Sequence, residues 1–337
     1  MKHSIKLILR GALLLALPMF LTSCDDILGE WNRPAPNPVT PAPEPTPNML
    51  ETPLTLEAAV AGAKVTFKAN NNDAEKTIEY STDGGANWTA GNTGGDGVEV
   101  TLKNVGDKVM FRGNNTTYSS AYDKYNTISC TADCYVYGNI MSLISATNFA
   151  TLKALPTTDT HTFNCLFDHN DHLINNPACT LELPATKLTD YCYRCMFMGC
   201  KSLVTPPALP AEELKKGCYS EMFFFCSSLT IAPKLDATTL EEYCYNLMFQ
   251  YCTSLETTPK LPATELKRSC YYGMFWGCIN LKEAWVKANY KAGSPGYECQ
   301  DMFEGCKSGG ILHTASTSTA WAPGTAMPGD WTIEKDY

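Results

Sequence analysis

The feature that most limits this chain is a phrase that recurs every 26 residues between Cys192 and Cys278. The copies open CYRCMFMGCKSL at Cys192, CYSEMFFFCSSL at Cys218, CYNLMFQYCTSL at Cys244 and CYYGMFWGCINL at Cys270. The first three run on through a Pro to LPAEEL, LDATTL or LPATEL, which leads into the next copy. A period in the twenties with Phe, Leu and Cys at fixed phases makes each copy one coil of a stack, because a lone coil has nothing against which to bury its apolar side. The predicted fold is therefore a solenoid. Leu203, Leu229, Leu255 and Leu281 should form one inward ladder, and Phe197, Phe223, Phe249 and Phe275 another. Pro207, Pro233 and Pro259 should confine the strand before them to a few residues, since Pro brings no N–H to a ladder. Leu214 to Phe223 reads as a short helix or turn, so the coil alternates a strand with a helical piece.

Outer copies are imperfect, as caps are expected to be. Leu166, Phe167, Asn170 and Leu173 take the places of Met196, Phe197, Cys200 and Leu203, while Met302-Phe303-Glu304-Gly305-Cys306 is a further copy beyond an irregular insert from Trp285 to Gly296. The solenoid unit spans residues 134–337.

Residues 54–133 obey a different period. Val65-Thr-Phe-Lys-Ala, Thr77-Ile-Glu-Tyr-Ser, Val98-Glu-Val-Thr-Leu and Val109-Met-Phe-Arg alternate apolar and polar side chains, which predicts strands with one buried face. Asp83-Gly84-Gly85 and Gly94-Gly95-Asp96-Gly97 supply turns that tolerate positive φ. The expectation is a small antiparallel β-sandwich with Asp83 and Asp96 in solvated turns; the phrase EYSTDGGANW resembles Ig-like or fibronectin-like modules of exported bacterial proteins, which implies that Trp88 packs between the sheets.

The start of the chain concerns address rather than fold. Lys2, Lys6 and Arg10 precede an apolar run from Gly11 to Leu21, too short to span a membrane as a helix, and residues 1–23 read as an export signal. Leu21-Thr22-Ser23-Cys24 resembles a bacterial lipobox, which implies that Cys24 receives a diacylglycerol and becomes the new N-terminus. Residues 24–53 carry eight prolines between Arg33 and Pro53. At roughly 3.1 Å per residue, such a run is a semi-rigid polyproline stalk of about 60 Å. The whole chain has 26 basic and 35 acidic residues. Without the leader's three cations the balance is 23 against 35, a charge near −12, so nucleic acid is not expected as a partner.

Most of the 16 cysteines fall into two columns, Cys192/Cys218/Cys244/Cys270 and Cys200/Cys226/Cys252/Cys278/Cys306. Export favours disulfides, but within a coil the two columns lie about 12 Å apart if helical, beyond the roughly 7 Å bridging limit. Buried thiol ladders are the expectation. Cys165 and Cys195 are the candidate inter-coil disulfide, and Cys130 with Cys134 is either a local bridge or two thiols.

No catalytic constellation emerges. Cys192-x-x-Cys195 lacks a βαβ context. His161, Cys165, His169, His172 and Cys179, with Asp168 and Asp171, match no zinc spacing and read as a polar cap loop. Glu212, Glu213, Glu241, Glu242, Glu256 and Glu265 occupy variable, solvent-facing phases. No catalytic residue, metal or cofactor is therefore predicted. A different pattern follows each Met-Phe pair: Met198, Phe224, Gln250 and Trp276, with Gly199, Phe225, Tyr251 and Gly277 beside them. A packed interior does not accept Gly, Gln and Phe at one phase. Phe224, Phe225, Tyr251 and Trp276 are thus expected to form a partly exposed ridge that binds a protein or a sugar.

The repeated CYxxMFxGCxSL with LPAT is similar to the BspA-type leucine-rich-repeat lipoproteins of Bacteroides relatives, over roughly residues 135–337. The resemblance implies an α/β leucine-rich-repeat solenoid held by a lipid anchor in the outer membrane, exposed on the cell surface, and adhering without catalysis to a host or bacterial surface protein or a glycan. Asp25 and Asp26 behind the Cys are similar to the acidic export tags of such lipoproteins. Phe225 and Tyr251 depart from the pattern by replacing Gly, and Asp236 replaces Pro. The alternative is a component of carbohydrate processing or glycan capture, with the β-sandwich as the binding module.

Overall fold

A computed structural model describes residues 48–290, 296–315, 321 and 327–337. The expected leader, the lipidation site Cys24 and most of the stalk lie outside the described residues. The fold is β-rich: fifteen strands lie in three sheets, with two short 3-10 turns and no α-helix among the described residues.

The alternating segments near the start form strands. In chain order these are β1 (Leu54–Ala58), β2 (Ala63–Ala69), β3 (Thr77–Ser81), β4 (Thr89–Asn92), β5 (Val98–Leu102), β6 (Lys108–Gly113), β7 (Ser119–Ala121), β8 (Lys124–Cys130) and β9 (Cys134–Asn139). One antiparallel sheet runs β5-β2-β8-β7 and a second runs β4-β3-β6-β1-β9. Val65, Phe67, Ile78, Val100, Val109, Phe111 and Ile128 are the buried alternate residues. Trp88 is not among them. It is half-buried, donates Nε1–H to the Gly85 carbonyl at 3.0 Å and lies under the Arg112 guanidinium, 4.0 Å from its ring centre. The glycine turn beside it tightens on Asp83, whose carboxyl is held down to about 2 by hydrogen bonds from Asn87 and Ser81.

The second sheet does not stop at residue 133. β10 (Leu173–Asn175) and β11 (Leu181–Glu182) both pair in parallel with β9. Rings continue the junction inside. Phe67, Tyr118, Phe163 and Tyr193 stack in succession with centroids 5.5, 6.2 and 5.8 Å apart, and Tyr219, Tyr245 and Tyr271 extend the row at 5.9, 6.0 and 6.1 Å. One hydrophobic core therefore runs from Leu54 to Trp331.

From His161 onward, successive coils stack through their backbones. The N–H groups of Tyr191, Tyr193, Cys195, Phe197 and Gly199 donate to the carbonyls of Lys216, Cys218, Ser220, Met222 and Phe224 at 2.7–3.0 Å, and the next two coils repeat the pattern. Between them Arg194, Met196, Met198 and Cys200 donate to the carbonyl three residues earlier. Alternate donors thus serve the neighbouring coil and the local turn, which satisfies a buried backbone without a helix or a regular strand. The conformation follows suit: every fourth residue has positive φ, as at Tyr191 (56°), Cys195 (50°) and Gly199 (72°), and the other five copies match. The segment expected as a short helix or turn is turn for this reason, because left-handed residues at that spacing break an α-helix.

Both inward ladders form. Phe167, Phe197, Phe223, Phe249, Phe275 and Phe303 stack nearly parallel at 5.5–5.8 Å, and Leu203, Leu229, Leu255 and Leu281 are buried. Cys200, Cys226, Cys252, Cys278 and Cys306 are free, and each Sγ donates to a Phe carbonyl of the preceding coil at 3.0–3.2 Å. A thiol suits the position: it is small, apolar and still able to occupy that carbonyl's second lone pair.

The last sheet is parallel, β12 (Thr257–Leu261), β13 (Glu283–Val286), β14 (Ile311–Thr314) and β15 (Thr332–Glu334). Pro259 lies inside β12 instead of ending it. β12 is an edge strand, where a missing N–H costs no ladder bond. Trp285, expected in an irregular insert, lies in β13.

Candidate functional site

Each coil has three positions of positive φ, and the third holds His169, Gly199, Phe225, Tyr251, Gly277 and Gly305. The mixture of Gly and aromatic residues now has a cause. Gly adopts this conformation without strain, and any other residue there is held by contacts that outweigh roughly 1–2 kcal/mol. For Phe225 and Tyr251 those contacts are rings. They stack on each other at 4.6 Å and 19°, Phe224 packs edge-on against Phe225 at 4.7 Å, and Trp276 meets Tyr251 at 6.4 Å. The ring of Tyr251 then covers Gly277, where an added Cβ would sit 2.3 Å from its Cδ1. The four aromatics singled out from the sequence are thus contiguous across three coils, with Phe225 43% exposed and Phe224, Tyr251 and Trp276 half-buried.

The second positive-φ position holds Cys165, Cys195, Glu221, Leu247, Gly273 and Asp301, and in its first three coils it adjoins a buried polar cluster. The Arg194 guanidinium donates to Glu221 Oε1 at 2.8 Å and to Asn164 Oδ1 at 3.3 Å, and lies 3.4 Å from the Tyr122 ring centre. The thiol of Cys195 hydrogen-bonds Cys165 and faces Glu221 Oε2 at 3.6 Å. Cys165 and Cys195, the candidate disulfide, are brought together as two free thiols. Cys130 and Cys134 likewise are free and hydrogen-bonded to each other. The hydrogen bond to Cys165 and burial push Cys195 well up, and burial does the same to Cys192, the reverse of what a redox Cys-x-x-Cys needs.

The His and Cys residues of the first coil do not converge. His169 pairs with Asp168 at 2.7 Å, His172 with Asp133 at 2.9 Å, and His161 stacks on Tyr191 at 4.9 Å. The glutamates at variable phases face solvent, with Glu242 on Lys216 and Glu256 on Lys282.

Two clusters escaped the reading of the sequence. Lys260, Trp285, His313 and Glu334 are register partners across the parallel sheet. His313 lies buried against Trp285 at 3.7 Å, with Nε2 on Glu283 and Nδ1 on Asp336. All but β12 fall outside the repeated phrase, so no periodicity marked Trp285, His313 and Glu334. The other is a cleft lined by Tyr243, Asn246, Ser269, Tyr272, Tyr297 and Gln300. Part of its signal was present, since Tyr243 and Ser269 share the phase of Tyr191 one residue before the first Cys of each coil, whereas Tyr297 is followed by Glu298 where the other coils have Cys.

No helix among the described residues is long and apolar enough to cross a membrane. No protein-family model, curated protein or solved structure matches the chain.

Proposed function

We propose that this chain is a lipid-anchored surface protein of the BspA-like kind, in which an Ig-like β-sandwich and a leucine-rich-repeat solenoid together display an adhesive face without catalysis. The signal pattern ending at Cys24 and the proline run support an anchor and stalk in the outer membrane. The observation that carries the reading is the ridge of Phe224, Phe225, Tyr251 and Trp276. Two of its rings occupy left-handed positions that Gly fills more cheaply in neighbouring coils, and one of them, Phe225, is 43% exposed. Contiguous, partly exposed rings of this kind are what soluble proteins place at binding surfaces. The partner chemistry that fits is an apolar patch on a host or bacterial surface protein.

The test separates binding from folding. Phe225→Gly with Tyr251→Gly removes stacking of about 0.5–1.5 kcal/mol per pair but also relieves left-handed strain of similar size, so the melting temperature should stay within a few degrees. Adhesion of cells carrying this variant should fall sharply. Full adhesion would sink the ridge assignment. Separately, Cys24→Ala should move the protein from the membrane to the soluble fraction, and unchanged retention would remove the anchor.

A further inference from the structure

The first positive-φ position of each coil carries its own series: His161, Tyr191, Gly217, Tyr243, Ser269 and Tyr297. Where rings are consecutive they stack, as His161 does on Tyr191. Where Gly follows, the preceding ring lies down on it, as Tyr191 does on Gly217. Ser269 does neither, and it interrupts the series between two tyrosines. Phe249, Phe275 and Phe303 of the same three coils stack at 5.5 and 5.8 Å, so Tyr243 and Tyr297 stand two coil spacings apart with room for one ring between them. That room is a cleft of about 280 Å³ walled by Tyr243 and Tyr297, floored by buried Ser269 and flanked by Asn246, Tyr272 and Gln300.

The flanking groups are polar and partly fixed. Asp301 accepts from Gln300 Nε2 at 3.3 Å and from the Tyr272 hydroxyl, leaving the Gln300 carbonyl and the Tyr272 oxygen as acceptors. The Asn246 carboxamide has no hydrogen-bond partner among the described residues. Lys216 and Arg268 approach the Tyr243 ring at 5.7 Å while Asp301 meets Gln300 and Tyr272, so the cleft carries no single sign of charge.

We propose that this cleft binds one pyranose ring of a neutral glycan. A pyranose offers C–H faces to the two tyrosine rings and a rim of hydroxyls to the carboxamides and phenol oxygens. An aromatic guest would match the walls but leave those polar groups desolvated without partners, which costs more than the stacking supplies. The site occupies the first positive-φ position and the ridge the third, so the two readings stand independently.

The experiment is saturation-transfer NMR on the whole protein with the methyl glycosides of glucose, galactose, mannose and N-acetylglucosamine. At least one should receive saturation on its ring protons. Tyr297→Ala, at a residue 52% exposed, should weaken binding about tenfold, the worth of one lost stacking contact. Ser269→Tyr should fill the cleft and abolish the signal while keeping the melting temperature, because Tyr already sits at φ 56° and 61° at the same phase in Tyr191 and Tyr243. Phe225→Gly with Tyr251→Gly should leave the signal intact. Absence of transfer to every glycoside, transfer to indole alone, or undiminished binding by the Ser269→Tyr protein would overturn the proposal.

Discussion

The ring of Tyr191 lies so close over Gly217 that a methyl group added there would stand 2.3 Å from its Cδ1. Gly217 is therefore required twice, for its φ of 57° and for the space above it. Gly305 shares only the first requirement, since its nearest neighbour would be at 3.7 Å. Gly217→Ala should cost about 3 kcal/mol through strain and overpacking together, and Gly305→Ala about 1. Chemical denaturation of the two variants checks this, and equal losses would contradict the ring contact.

Arg194 and Glu221 form an ion pair with side chains 4% and 17% exposed. Glu221→Gln keeps the shape and removes the charge, leaving a buried guanidinium with Asn164 and a ring face. A loss of about 3 kcal/mol is expected from the unbalanced charge. Arg194→Met with Glu221→Leu should recover most of it, so a double-mutant cycle decides whether charge or packing is at stake.

The thiol columns should be chemically silent in the folded protein. Burial pushes Cys218 up to about 12 and Cys226 higher still. Iodoacetamide at pH 8 should therefore modify half-buried Cys179 first, and both columns only after denaturation, without added reductant. Mass spectrometry that found quantitative disulfides along either column would refute the thiol ladder.

Burial against Tyr191 holds His161 below its ordinary value of 6.5. With the folded value depressed, the unfolded chain takes up the proton first, so stability rises with pH in that interval. The contribution is complete above 6.5 and is lost as pH falls through the folded value. His161→Asn, which tolerates positive φ, should flatten melting temperature against pH between neutral and mildly acidic conditions, and an unchanged slope would place the dependence elsewhere.

How much was legible depended on which physical constraint wrote each position. Strands β2, β3, β5 and β6 followed from alternation, and the Phe and Leu ladders followed from repetition. Both patterns record side chains facing one core. The backbone of each coil was not legible, because left-handed φ at Leu247 or Glu221 is imposed by hydrogen bonds to the next coil against the residue's own preference. Trp88 was misplaced for a related reason: the turn that marks it says nothing about which sheet face it leaves from, and Arg112 captured it outside. The ridge was found because its phase mixes Gly with rings. The tyrosine cleft was passed over because its meaning lies in the small Ser269 between two large neighbours, visible only once the coils are stacked.

The inter-coil ladder joins equivalent backbone atoms in every copy, so it has no means of telling one coil from the next. An in-frame loss of the codons for 218–243 would bring Phe249 onto Phe197 and Cys252 under the Phe197 carbonyl with every backbone donor of the ladder still matched. Gain of a coil would be equally silent to the fold. Gene length in this stretch is thereby freed to drift by whole coils. Such drift would lengthen or shorten the array of outward rings, and so alter how many contacts are made at once, without changing any single contact.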